Sequence, residues 1–429
     1  MFLAGVFIGI MTMIRQPLAL VDSSLTGVTA DAMDTASGSR AGIAGFSPGQ
    51  SVGEWQQAGW RQQKTPGAYE CRYFSVLDSA GNGAAINLYD GFCFHPRYVQ
   101  EFNRYCRRST RVKISSVREQ VLPSFYPAAA ISVFQGGQCV LRSINVFPPG
   151  AFHGEQGTPE CVVGPNRVTL RQDGTLGLTL RGYPMENSLL GSRYRTNQSI
   201  HVDLTFQPRL FGLQQLLPLR PDSSDGAQHL WSLVVPSARV TGRIQQINMD
   251  DDTTLLNMPL DGSGYHDVYF GGSGIGREIN TVTRGHAVSL DWAITWNHTN
   301  TPHPCDTDSM VIFDPGSEPV IVQHPQREIV YARAGKLRRA YPAQMILHGS
   351  DSRGNNVELL IQHQNIMESG AYVIRNSCSV HLRSRGTKRY LGVGIMETLN
   401  TRGLTWPMIS DLAGRSILQV YADDPLWRQ

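Results

Sequence analysis

Charge is scarce in this chain, and where it occurs it is dispersed. Asp, Glu, Lys and Arg make up 17% of the 429 residues and leave a net charge of +3 with no dense basic block. The nearest approach to one, Arg104 to Arg118, interleaves Cys106, Val112 and Ile114 and reads as a solvated strand face. No nucleic-acid partner is expected. Cys-x-x-Cys pairs are also missing. The seven cysteines (71, 93, 106, 139, 161, 305 and 378) are scattered and read mostly as reduced core thiols. An odd count leaves one unpaired even if the others bond, and a disulfide among the first five stays open if the chain is secreted. The apolar start, Phe2 to Met13, is 12 residues long, too short to span a bilayer. It is similar to the apolar stretch of a signal peptide, yet no basic residue precedes it and Ala19-Leu20-Val21 is a poor cleavage site. Two glycosylation triplets, Asn197-Gln198-Ser199 and Asn297-His298-Thr299, are of a kind that arises often by chance. Cytoplasmic and secreted locations both stay open, as does contact with a membrane surface; no obligate protein partner is evident.

Several chemical signatures are incomplete. No Gly-x-Ser-x-Gly elbow supports a Ser-His-Asp hydrolase. The run Gly271-Gly272-Ser273-Gly274-Ile275-Gly276 lacks the Lys-Ser/Thr ending of a phosphate loop and the helix that should follow, so it reads as a flexible loop. His298 and His303 with Asp306 and Asp308 lie among Asn, Thr and Pro and read as an irregular loop. No metal and no cofactor are expected.

What is abundant is turn chemistry: 43 Gly and 24 Pro between short apolar runs. Arg167–Arg171, Asp173-Gly174 and Leu176–Leu180 form the clearest hairpin, two runs of period 2 about an Asp-Gly turn. Similar runs lie at 84–89, 130–134 with 139–141, 199–206, 287–296, 310–313, 319–322, 357–362 and 390–398. No long stretch keeps a 3.6-residue period; short helices are expected at 96–107 and 406–414. The fold class is therefore all-β, with strands spaced as in sandwiches and barrels. The domains expected are an arm at 1–50, a sandwich-like β-domain at 51–247, a polar linker at 248–264 and a second β-domain at 265–429. Clefts between domains commonly bind ligands.

Two motifs flank that linker: His229-Leu230-Trp231 and Gly264-Tyr265-His266-Asp267. They gather an acid, a base and two large π faces. Val268, Tyr269 and Phe270 make the surroundings of Asp267 apolar, which raises a carboxyl pKa and favours the protonated form. Each residue also has a bland reading. Asp267 before glycines caps turns, His229 after Asp225-Gly226 starts a strand at the surface, Trp231 fills a core, and Tyr265 is a buried Tyr bonded to backbone. His229 and Trp231 share one strand face, which favours a pocket position.

In order along the chain, Tyr69-Glu70-Cys71-Arg72-Tyr73-Phe74, Phe92-Cys93-Phe94-His95-Pro96, His201–Phe206, the two motifs and Asp291-Trp292-Ala293 resemble the carotenoid 1,2-hydratases and their lipocalin-like hydratase and cyclase relatives, which include fungal [4+2] cyclases. The resemblance implies an N-terminal sandwich-like domain and a C-terminal lipocalin-like barrel. It implies Asp267 as catalytic acid, assisted by Tyr265, His229 and Trp231, with His266, Tyr269, Phe270 and Trp292 against substrate. The family's usual His-Asn-Trp-Gly after the acid is here Val268-Tyr269-Phe270-Gly271, more apolar by an imidazole, an amide and an indole. The function implied is cofactor-independent hydration or cyclisation of a C=C bond in a hydrophobic isoprenoid or polyketide polyene. Trp231 and Tyr265 would shield the cation, and His229 would hold the attacking water. Two alternatives stand beside it: a [4+2] cyclase that works by substrate shaping, and a non-catalytic lipid or pigment carrier.

Overall fold

Alternation of side chains along strands decides the architecture. In β1 (Tyr69–Leu77), Tyr69, Cys71 and Tyr73 pack into one hydrophobic cluster, while Phe74 and Val76 pack into another. Successive residues of a strand point to opposite faces, so one strand serves two cores. The computed structural model describes residues 55–428 except 109–119, 189–190, 220–227, 289–291, 303–305, 315–317, 324, 336–337, 352–353 and 385–386. The arm at 1–50 with its apolar start lies outside the described residues, as do Asp225, Gly226, Asp291, His303 and Cys305.

A 13-stranded sheet holds the first part of the chain. Its centre is built from β1, β2 (Gly83–Asp90), β3 (Ala128–Gln135), β4 (Gln138–Val146), β5 (Gln198–Leu210), β6 (His229–Asn248) and β7 (Thr254–Gly271). Their order across the sheet is β4-β3-β2-β1-β7-β6-β5. Beyond β5 lies the expected hairpin, Asn166–Leu170 with Leu176–Gly182. Near the C-terminus, Leu418–Gln419 returns to pair parallel with β4.

The second sheet has nine strands. They include β8 (Thr281–Val288), β9 (Ala293–Asn300), β10 (Thr307–Phe313), β11 (Asn356–Ser369), β12 (Val373–Ser384) and β13 (Thr387–Asn400). Its two edge strands, Val320–Gln323 and Gln326–Ala334, are consecutive in the chain with two residues between them. So short a link spans at most about 10 Å. The edges therefore lie close together, and the sheet must curl into a barrel. The structure is all-β with two β-domains, as the sequence led one to expect.

Among the described residues, three large clusters and a small one around Tyr341 and Ile374 fill the interior. One lies within the first sheet, around Phe74, Phe206, Val234 and Val268. Another lies within the barrel, around Trp296, Met345 and Val380. The largest aromatic set lies between the sheets, where Tyr69, Tyr73, Trp231, Tyr265 and Tyr269 meet Val282, Val311 and Tyr372. Helices α1 (Pro96–Arg108) and α2 (Pro407–Gly414) fall close to the expected places.

Two expectations need correction. Residues 248–264 are not a linker. β6 runs to Asn248, β7 starts at Thr254, and Gln246 still pairs with Leu256, so the segment is the end of a long hairpin. Its polar residues are solvated because they lie at a hairpin tip. The 287–296 run is not one strand; it straddles the antiparallel pair β8 and β9. Among the described residues no two cysteines form a disulfide.

Candidate active site

The two motifs lie on neighbouring strands of the first sheet. β7 pairs with both β1 and β6, placing Asp267 beside Tyr73 on one side and Leu233 on the other. Tyr265, Asp267 and Tyr269 share the face turned toward the barrel. Asp267 is 1% exposed. Its Oδ2 accepts hydrogen bonds from the Tyr265 hydroxyl at 2.6 Å and the Trp231 indole N–H at 3.0 Å. Its Oδ1 has no hydrogen-bond partner, and the Arg284 guanidinium stands 3.7 Å away. Burial raises the Asp267 pKa to about 6, against the opposing pull of Arg284 and of the two donors. Because Oδ2 already accepts twice, a proton on this group belongs on Oδ1.

Arg284 begins a ladder of alternating buried charge. On the second sheet, Arg284 on β8 stands opposite Glu397 on β13, Glu397 opposite Arg375 on β12, and Arg375 opposite Glu368 on β11. Register alone thus sets opposite charges side by side. Arg284 reaches Glu397 through Nε at 2.9 Å and Nη2 at 2.7 Å. Arg375 pairs with both Glu397 and Glu368. The first sheet closes the ladder at both ends, with Asp267 beside Arg284 and Arg142 Nε 2.7 Å from Glu368. Paired guanidiniums hold both glutamates below the usual carboxylate range despite burial.

Two cavities adjoin this ladder. The larger lies between the sheets. Tyr69, Tyr89, Phe94, Val282 and Leu399 supply an apolar lining, and Arg142, Glu368, Arg375 and Glu397 a polar wall. The smaller is lined by Asp267, Tyr265, Tyr73 and His286. Tyr269, Arg284 and Glu397 line both and form the partition. The Arg284 guanidinium lies over the Tyr269 ring at 4.1 Å and over the Tyr73 ring at 4.4 Å.

The sequence-predicted residues divide into two groups. Asp267, Tyr265, Trp231 and Tyr269 come together. Trp231 reaches Asp267 through its indole N–H, while its ring stacks on Tyr269 with centroids 5.8 Å apart. His229 is separate. It pairs with Gly271, four residues along the strand from the level of Asp267, roughly 13 Å away. There it is buried, not at the surface, with Nδ1 3.0 Å from the Tyr69 hydroxyl and Nε2 3.2 Å from Glu278. A Cβ on Gly271 would come 2.4 Å from His229 Nδ1, so that close approach requires glycine.

His266 and Phe270 face the opposite way, because neighbouring residues of a strand cannot share a face. His266 stacks on Phe74 at 3.9 Å inside the first sheet, and Phe270 lies under the Arg61 guanidinium. Neither lines either cavity. Trp292 packs against the barrel core, away from both. Asp267 lies mid-strand and caps no turn. His298 and Asp308, read as loop residues, are paired across β9 and β10 at 2.8 Å.

No family model and no curated protein matches the sequence. Solved structures do match. The AttH candidate protein NE1406 from Nitrosomonas europaea superposes with a TM-score of 0.53 at 11% identity, over 81% of this chain and 96% of that one. The two share one fold. CghA with Sch210972 gives 0.45 at 12% identity, covering 79% and 89%; kievitone hydratase from Nectria haematococca gives 0.44 at 11%, covering 80% and 93%. The resemblance read from the motifs holds at the level of the fold.

Sequence reasoning missed Arg284, Glu397, Arg375, Glu368, Arg142, Tyr73 and His286. The ladder residues are far apart in the chain, and only strand register unites them. One signal was present: Glu397 interrupts the apolar run Ile395-Met396-Glu397-Thr398-Leu399, and a charge inside a strand destined for burial needs a partner. His286 lies in an apolar run that the sequence reading began at Ala287.

Proposed function

We propose that this protein is a cofactor-independent hydratase or cyclase acting on a hydrophobic small molecule with an isoprenoid or polyene chain. The observation that carries the reading is Asp267 Oδ1. It is buried, without a hydrogen-bond partner, on a carboxyl raised in pKa, and it adjoins a small cavity beside a larger, mainly apolar one. The substrate chain would occupy the larger cavity and pass the Tyr269–Arg284 partition to bring a C=C bond against Asp267. Oδ1–H would protonate that bond, and Tyr265 and Trp231 would hold the carboxylate left behind. The rings of Tyr73 and Tyr269 already face Arg284, which limits their use for cation shielding. Water or an internal alkene then captures the cation, and the Asp267 carboxylate takes back one proton, from the attacking water or from a carbon beside the new cation, giving an alcohol or a cyclic alkene and restoring the acid.

A second reading has its own support: Asp267 lines the small cavity and not the large one. A substrate confined to the large cavity would be shaped for ring closure with no proton transferred. Turnover in deuterated water separates the two over a panel of prenylated phenols, linear carotenoid precursors and linear polyenes. Acid initiation leaves a carbon-bound deuterium in the product, and Asp267→Asn stops the reaction. Product without deuterium, formed at an undiminished rate by the variant, overturns the acid reading.

A further inference from the structure

The polar wall of the larger cavity is not neutral. Three guanidiniums, Arg142, Arg284 and Arg375, line it against two carboxylates, Glu368 and Glu397. Each glutamate is shared: Glu397 lies between Arg284 and Arg375, and Glu368 between Arg375 and Arg142. Asp267, which would balance the count, stands behind the partition at the far end. With Asp267 protonated the row holds one cation in excess, and terminal Arg142, with a single ion contact, is its least-paired member. Its side chain is 9% exposed, and its one ion contact, Nε to Glu368 Oε1, is not aligned as a hydrogen bond. No hydrogen bond from its terminal nitrogens to another described residue is seen. A buried guanidinium with unused donors is a costly arrangement unless something fills its fork.

We propose that Arg142 is the anchor for an anionic two-oxygen head group, a carboxylate, on the amphipathic substrate of this cavity. A planar guanidinium presents a fork that matches such a group. Ser132 and Tyr372 flank it on the lining, and the apolar residues Phe94, Val282 and Leu399 accept the chain. The arrangement fixes direction: the head group sits at the Arg142 end of the ladder, and the chain extends toward Tyr269 and Asp267. It also couples the two ends. With the head group bound, the cavity wall is balanced without an ionised Asp267, so anion binding and a protonated acid favour each other reciprocally. The proposal rests on the reading of the larger cavity as the substrate chamber and adds the chemical class of its occupant.

The test uses cis-parinaric acid, a fluorescent tetraene fatty acid, and its methyl ester as a neutral control, titrated against the full chain. The wild-type protein is expected to bind the acid about tenfold or more tighter than the ester. Arg142→Gln should bring that ratio to about one with ester affinity kept, and Arg142→Lys should retain part of the preference. If Arg142→Gln does not fold, Glu368→Gln serves instead: it removes one carboxylate and should increase the preference for the acid. Equal binding of acid and ester by the wild-type protein overturns the head-group assignment and leaves the chamber intact. Failure to bind either probe overturns the chamber reading itself. A preference for the acid that Arg142→Gln leaves unchanged places the anion elsewhere and overturns the role of Arg142.

Discussion

Replacing Asp267 by Asn separates the chemistry of this carboxyl from its cost. In the folded chain the group's pKa rises from 3.8 to about 6, with burial as the leading cause. At about 1.4 kcal/mol per pH unit, keeping it ionised in the fold costs about 3 kcal/mol relative to the unfolded chain. The sign follows from the direction of the shift. The stabilising contribution of the protonated form is fully present below about pH 4 and is lost as pH rises through about 6. Asn has nearly the same shape, keeps an oxygen to accept from Tyr265 and Trp231, and cannot ionise. Its amide nitrogen would face Arg284 without an acceptor, which returns part of the gain. Asp267→Asn is thus expected to be more stable than wild type by about 1–3 kcal/mol at pH 7.5, with no gain at pH 4. For a chain of this length, with an unfolding entropy of roughly 0.8 kcal/mol per degree, that raises Tm by about 1–4 °C. Turnover should fall by about 10² or more, because the proton donor is gone. In the wild type, the rate should decline as pH rises through about 6, following the protonated fraction. Thermal unfolding at the two pH values, with turnover beside it, tests both halves. A stability difference that is the same at pH 4 and pH 7.5 would refute the buried titration, and undiminished turnover would refute the acid role.

Other substitutions test the rest of the geometry. Arg284→Met leaves Glu397 and Asp267 short of a cation and should cost about 3–5 kcal/mol in urea unfolding. It should also move the pH midpoint of activity upward, since Arg284 is the strongest influence holding the Asp267 pKa down. His229→Gln removes the partner of Tyr69 and Glu278; a loss of about 1–3 kcal/mol is expected, with deuterium incorporation per turnover unchanged. Loss of incorporation in that variant would restore His229 to the chemistry. Phe270→Ala should destabilise by about 3–5 kcal/mol without altering the product, whereas Tyr269→Ala should alter the product distribution. Chromatography of products from the two variants distinguishes the faces of the strand.

How much was legible in the sequence depends on the range of the interaction. Hairpins were readable because a turn and its flanking alternation are local. The strands about Asp173-Gly174 and the pair 128–135 with 138–146 emerged as expected. Asp267, Tyr265 and Trp231 can be grouped from the sequence because two short motifs carry them, and the structure brings the three side chains into contact. His266 and Phe270 are close to Asp267 in sequence, yet period 2 places them back to back with it, on the face turned into the first sheet. The polar stretch 248–264 reads as a linker because solvated turns and linkers share a composition, whereas only 249–253 is the hairpin tip and the rest is strand. His229 reads as part of the site because it shares a strand face with Trp231 along β6. Parity, however, fixes a face and not a distance, and four residues of strand separate the two groups.

The ladder was illegible for a deeper reason, and it bears on why the site lies where it does. Buried ion pairs are poor net stabilisers, since desolvation of both partners offsets most of their attraction. Packed apolar residues at 284, 368, 375 and 397 would hold two sheets together at least as well. What the ladder supplies is position. Strand register sets Arg284, Glu397, Arg375 and Glu368 in one row on the barrel. The first sheet meets that row at only two charged ends, Asp267 and Arg142. A slip of either strand by one residue would turn its charge into an apolar core, at a cost well above the worth of the pair. The row therefore fixes the relative register of the elements that form the cavity, and with it the separation between the acid and the least-paired guanidinium. Fixed separation is what an enzyme needs if one end of a flexible chain is to be held while a particular bond further along it meets a proton donor.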